Sequence, residues 1–200
     1  MNTIVIIVII AIIVIAIIIF LASSAIYFLL LSERLKKQLN QTVLTLPAND
    51  SELSQSIDDI RIVVDYTKTL EQAIAEGNYD GKNINVIPEN FFIYSKMAGE
   101  KVVSGRLFHF NCVVSNKRVI KKMNKDGFRP ATIIELLTLG AVHPELQKQF
   151  SIIALGSVWR DPDNIYRAPF LSTNLGYRLL SLCYSDGNWD AGHRFFGIRK

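Results

Sequence analysis

The N-terminal run of apolar residues restricts this chain more than any other feature. From Ile4 to Ala22 nearly every residue is Ile, Val, Ala, Leu or Phe. Ser23 and Ser24 interrupt, Ala25 to Leu31 resume the run, and no charged side chain precedes Glu33. A bilayer core of about 30 Å is crossed by about 20 apolar residues as a helix. In lipid the backbone must satisfy itself, so such a run is helical despite its β-branched Ile and Val. A cleaved signal peptide fits poorly. No Lys or Arg precedes the run, and it exceeds the ~7–15 residues of a signal core. Its Leu-rich end, YFLLLSERL, offers no small-residue cleavage site, although ASSA lies upstream. The expected organisation is a single-pass transmembrane helix over 1–31, a stalk and linker over 32–58, and one soluble domain over 59–200.

The flanking charges set the expected orientation. MNT carries no basic side chain, whereas SERLKK carries Arg34, Lys36 and Lys37, which places the domain on the cytoplasmic side by the positive-inside rule. The extracellular side stays open. The formal net charge is +4. The excess is spread along the soluble part, apart from Lys117, Arg118, Lys121, Lys122 and Lys125, which read as a solvated helix face or as a contact for anionic headgroups or nucleic acid. Cys112 and Cys183 lie in apolar runs, compatible with buried thiols or with a disulfide.

Beyond the anchor, Leu31, Leu35 and Leu39 continue a helical stripe. IRIVVDY (Ile60–Tyr66) alternates with period two and predicts a strand. Thr69 and Gln72 form a capping box opening TLEQAIAEG, and Asn78 to Asn90 reads as mostly loop. Leu107 to Val114 predicts a strand with Phe108, Phe110, Cys112 and Val114 on one face. Ser115 can cap a helix running to about Lys125, closed by Asp126-Gly127. Thr132 and Glu135 form a second capping box, and Pro144 opens a further helical turn. Ser151–Trp159 reads as one buried strand. Gly176–Cys183 and Arg194–Arg199 complete the strand set, joined by CYSDGNWDAGH as an Asp-Gly hairpin tip. Helices early and a mainly antiparallel sheet late describe an α+β domain.

Catalytic patterns are scarce. His109, His143 and His193 are far apart in sequence, and no His-Glu-x-x-His, Cys-x-x-Cys or Walker-type loop is present. Asp186, Asn188 and Asp190 alternate oxygen ligands as calcium loops do, without the EF-hand glycine and terminal Glu. The expectation is a non-enzymatic protein with no cofactor or metal. From Asp161 to His193, Asn, Asp, Ser, Gly, Tyr and His are interleaved with Phe170, Leu171, Leu179, Leu180 and Leu182, the residue mix of adaptable binding surfaces.

Four motifs carry a resemblance: DYTKTLEQAIAEGNYD (Asp65–Asp80), GFRPATIIELLTLG (Gly127–Gly140), HPELQKQFSIIALGSVW (His143–Trp159) and HRFFGIRK (His193–Lys200). On them the soluble part resembles a family of uncharacterised membrane-anchored proteins from small-genome, uncultivated bacteria. The C-terminal layout, 160–193, resembles the C-type-lectin-like fold of variable proteins from diversity-generating retroelements. That resemblance implies a display surface at Asp161, Asp163, Asn164, Tyr166, Ser172, Asn174, Tyr177, Tyr184, Asp186, Asn188, Trp189, Asp190 and His193, with Trp189 its anchor if exposed. It implies ligand binding to an unknown protein or other macromolecule, with the membrane as a second partner and no nucleic acid expected. The alternatives are a membrane-tethered assembly protein and, since the same fold hosts formylglycine-generating enzymes, an enzyme using Cys112 or Cys183.

Overall fold

The computed structural model describes residues 57–91 and 99–200. The expected anchor, the leucine stripe and nearly all of the linker lie outside the described residues. Among the described residues no helix is long and apolar enough to cross a membrane.

The chain opens with β1 (Ile57–Asp65), α1 (Leu70–Gly77), β2 (Gly81–Lys82), β3 (Glu100–His109) and β4 (Val114–Ser115). Then come α2 (Asn116–Lys125), β5 (Phe128–Pro130), α3 (Ile133–Val142), α4 (Pro144–Gln149) and β6 (Ser151–Ile153). Finally β7 (Trp159–Arg160), β8 (Tyr166–Asn174), β9 (Tyr177–Tyr184), β10 (Asn188–Trp189) and β11 (His193–Arg199) close it. The class is α+β with a mainly antiparallel sheet in the order β1-β3-β11-β6-β8-β9-β2. The pairs β6/β11 and β2/β9 are parallel.

Neighbouring residues on the central strands belong to different cores, because alternate side chains point to opposite faces. Leu107, Ile152 and Phe196 pack with α1 and α3 on one face. Phe108, Ile153 and Phe195 pack with Val119 and Met123 of α2 on the other. The sheet is therefore covered on both sides. Each fully buried Leu or Phe contributes roughly 2 kcal/mol, against less than about 1 kcal/mol for an exposed ion pair. Apolar burial on two faces, not surface charge, holds the layers together.

Local signals explain the helices. Thr69 Oγ1 accepts from the Gln72 amide, and Gln72 Oε1 accepts from the Thr69 amide at 2.8 Å. Glu135 Oε2 accepts from the Thr132 amide at 2.7 Å. α3 is apolar almost all round, and Ile133, Ile134, Leu136, Leu137 and Leu139 are buried. Arg178 lies at the C-terminal ends of two helices. It donates to the Gly77 carbonyl of α1 and the Gly140 carbonyl of α3, at 2.8 and 2.5 Å. A cation there complements both helix dipoles. α3 packs closely at Gly140, where an added Cβ would run into the Tyr79 hydroxyl and stand 2.8 Å from Leu171 Cδ1 of β8.

Several sequence expectations are corrected. The strand expected at Leu107–Val114 runs instead over Glu100–His109, where it pairs with both β1 and β11. Beyond it Phe110 and Val114 still reach the α2-side core, with Cys112 packed against them. Ser151–Trp159 is not one strand: a turn through Ala154–Val158 separates β6 from β7. The strand β8 was not expected. CYSDGNWDAGH is not a hairpin tip, because β9 and β11 are not neighbours. The stretch crosses from one to the other, and its Asn188-Trp189 pairs with Val114-Ser115. Nor are the strands gathered late: β1 and β3 pair at one side of the sheet, and the last strand lies inside it.

Candidate functional site

Asp161 organises the turn between β7 and β8. Its Oδ1 accepts from the amides of Asp163 and Ile165, at 3.0 and 2.9 Å, and its Oδ2 accepts from Arg167 Nε at 2.9 Å. Burial alone would push this carboxyl up. The Ile165 amide and the Arg167 guanidinium outweigh it and hold the group below the usual carboxylate range. Pro162 suits an early turn position and Asn164 takes a φ of 63°. The turn follows from the sequence DPDN.

A second loop faces this turn. The Asn83 amide donates to the Leu180 carbonyl, fixing the loop to β9. Asn83 Oδ1 accepts from the Asn85 amide at 3.0 Å, and Asn90 Nδ2 donates to the Asn85 carbonyl at 2.9 Å. Val86 and Phe91 are buried beneath, with Phe91 and Trp159 rings 6.4 Å apart. The apolar side chains tether the loop and leave its asparagines outward.

Between the two lies a cleft of about 590 Å³ lined by Asn83, Asn85, Asn90, Trp159, Asp163 and Arg167, with Asp161, Pro162 and Leu182 completing it. That volume is within the range of small-molecule sites. Asp161 is fully spent on the turn. The Asn85 side-chain amide, Asn83 Nδ2, Asn90 Oδ1, the Asp163 carboxylate and the terminal amino groups of Arg167 carry no hydrogen bond among the described residues. Trp159 supplies a half-buried aromatic wall. The walls thus combine donors, acceptors and an apolar face. Since Asp161 already neutralises Arg167, nothing in the lining selects for an anion.

The thirteen residues expected at the surface separate into groups. Asp163 lines the cleft and Asp161 lies buried beneath it. Tyr184 is exposed, stands opposite Arg167 in register and shares its face of the sheet. Asn164, Tyr166 and Asp186 are exposed at the same strand ends, where the Ser185 amide donates to the Tyr166 carbonyl. Tyr166 points to the opposite face, under the Arg160 guanidinium. Ser172 is half-buried in mid-strand. Asn174 and Tyr177 sit at the far end of the β8–β9 hairpin, seven residues or roughly 23 Å from Tyr184.

The crossover residues are mostly structural. Trp189 is only 4% exposed. Its Nε1 donates to Asn116 Oδ1 at 2.6 Å and its ring packs edge-on against Phe195, so it is core and not an anchor. Asn116 in turn donates to the Ser185 carbonyl. Asn188 is exposed. Asp190 is exposed too, but its Oδ1 accepts from the Gly192 amide and meets His193 Nδ1 at 2.9 Å. His193 is half-buried against Trp189. His109 is buried and meets the Ala191 carbonyl at 2.8 Å, holding the crossover to β3. No group of three His, Cys, Asp or Glu with metal-binding geometry occurs among the described residues. Burial pushes the Cys183 thiol up to about 12, and Sγ donates to the Ala168 carbonyl. A thiol held protonated is a poor nucleophile.

Sequence reasoning missed Asn83, Asn85, Asn90, Trp159 and Arg167. The available signal was the Asn-rich run after Asn78, recognised as loop but not as a binding wall. The chain matches no protein-family model, no curated protein and no solved structure.

Proposed function

We propose that this chain is a membrane-anchored, non-enzymatic binding module that takes a neutral, polar ligand into the cleft between the Asn83–Asn90 loop and the Asp161 turn. One observation carries this reading: a turn made rigid by the fully satisfied Asp161 sits beside unspent side-chain amides, the Asp163 carboxylate, the terminal amino groups of Arg167 and an aromatic wall. Preorganised walls with open hydrogen-bonding capacity suit a ligand bearing both donors and acceptors, such as a glycan or the backbone of an extended peptide. Tyr184 widens the same surface. The far hairpin end, with Asn174 and Tyr177, is a separate surface. Diversification of these exposed positions belongs to the same proposal, and its test is genomic: an imperfect template repeat of the 3′ end of the gene beside a reverse transcriptase.

Trp159 supplies the test of binding. Titration of the detergent-solubilised full chain with neutral oligosaccharides and with short uncharged peptides is expected to change the emission of half-exposed Trp159. Trp159→Phe abolishes that response, because buried Trp189 does not face the cleft. Asn85→Ala combined with Asp163→Ala weakens binding about tenfold, two hydrogen bonds at roughly 0.7 kcal/mol each. Unchanged affinity in the double variant rejects the cleft as the site.

A second reading, assembly, draws on one observation. Val63, on β1 at the edge of the sheet among the described residues, faces Val102 on β3, and the two are 53% and 71% exposed. An exposed edge strand is a template for pairing with another chain. Val63→Lys reduces oligomer size in light scattering if assembly uses this edge.

A further inference from the structure

The basic residues singled out in the sequence remain outside the cleft and its chemistry. They form a single face. The ten residues of α2, NKRVIKKMNK, contain five cations and no acid. Val119 and Met123 point inward and are fully buried, which turns Lys117 and Lys121, one helical turn apart, outward to solvent. The face continues past the helix. The Lys200 amide donates to the Gly127 carbonyl, and the Arg199 guanidinium lies 4.9 Å from the Phe128 ring centre, so the exposed end of β11 adds two further cations. The carboxylate at this junction, Asp126, is already engaged by Lys122 at 3.1 Å and Arg106 at 3.4 Å. These seven cations less Asp126 exceed the net charge of +4 for the whole chain. The rest of the chain is therefore net acidic, and the molecule is electrostatically polarised.

We propose that this face, α2 with the end of β11, docks on an anionic lipid surface. Three features favour lipid over nucleic acid. Five of the seven cations are lysines, hydrated point charges suited to a diffuse field of headgroups and not to bidentate reading of single phosphates. α2 carries no aromatic side chain on which a base could stack. The chain also carries an apolar run of membrane-spanning length followed by Arg34, Lys36 and Lys37. That places the domain beside the leaflet in which anionic lipids concentrate. This last argument rests on the anchor reading; the charge polarity does not.

The test uses the full chain reconstituted into phosphatidylcholine vesicles, with and without phosphatidylserine. Acylation of Lys117 and Lys121 is read by mass spectrometry, and resistance to alkaline extraction reports the anchor. Labelling is expected to fall about fivefold in the serine-containing vesicles, the factor that one lysine–surface attraction supplies. High salt, or Lys117→Glu with Lys121→Glu read at the remaining lysines of α2, removes the difference. Extraction-resistant protein with equal labelling in both vesicles overturns the proposal and leaves the anchor standing. Protein that is extracted, yet floats only with serine-containing vesicles, overturns the anchor and supports the face. Extracted protein that floats with neither overturns both. Tighter binding to duplex DNA or RNA than to these vesicles, lost in the same double variant, overturns the lipid assignment.

Discussion

Glu135 has no exposed surface and yet is ionised. Burial would push its carboxyl up. Arg129 at 2.5 and 2.9 Å, the Tyr66 hydroxyl at 2.6 Å and the Thr132 amide outweigh burial and hold it below its ordinary range. One side chain thereby joins the end of β1, β5 and the first turn of α3. Removing one partner of a buried pair costs about 3 kcal/mol, so Glu135→Ala is expected to lower the urea midpoint sharply. The pH dependence follows from the depressed value. Stability from this group is complete above the ordinary carboxylate range, and it is lost as pH falls through the folded value. Glu135→Gln, compared with wild type from pH 7 downward, flattens the acid limb of the stability profile. An unchanged limb rejects the assignment. Cys183 makes the opposite kind of prediction. With its thiol pushed up to about 12, folded Cys112→Ser protein reacts with a thiol reagent near neutral pH at least about a hundredfold more slowly than the same variant unfolded in urea. Comparable rates would reopen cysteine chemistry.

At the scale of elements, the sequence was most legible where a local rule decides the outcome. Both capping boxes and the Pro144 helix start follow from residues within one helical turn of each boundary. The helix expected after Ser115 is found at Asn116–Lys125, although the Ser115 side chain makes no cap bond. β1 was legible from its alternation. The crossover was not. Asp-Gly between two apolar runs has hairpin chemistry, but Trp189 is captured by Asn116, far away in sequence, and no local pattern records that. β8 was hidden because Pro169 and the polar Ser172, Thr173 and Asn174 break its apolar run. Its hairpin contains a misfit that can be measured. Leu175 and Gly176, with φ of 50° and 86°, are the two central residues between paired Asn174 and Tyr177. That turn favours Asn-Gly, and a left-handed leucine costs roughly 1–2 kcal/mol. Leu175 is 91% exposed, so no packing offsets the strain. Leu175→Asn is expected to stabilise the domain by about 1 kcal/mol, raising its melting temperature by several degrees. A lower melting temperature would reject the strain assigned to this leucine.

At the scale of the whole molecule, the last strand decides whether the domain folds. β11 pairs with β3, β5 and β6, and it sends Phe196 and Ile198 into one core and Phe195 into the other. Residues 193–199 must therefore be present before the centre of the sheet can close, and the long separation between β3 and β11 makes that closure slow. The candidate cleft depends on the same step only indirectly, because its walls come from β7, β8, β9 and the Asn83 loop. One truncation and one double substitution separate these roles. Removal of 193–200 takes out the central strand, exposes both cores and is expected to leave an insoluble chain without cooperative unfolding by circular dichroism. Replacing only Asn83 and Asn85 by Ala and Gly removes no buried apolar surface. Such a chain keeps its melting temperature within a few degrees while losing cleft binding. Should the 193–200 deletion instead remain soluble and cooperative, β11 is an accessory strand, and the two-faced core needs a different explanation.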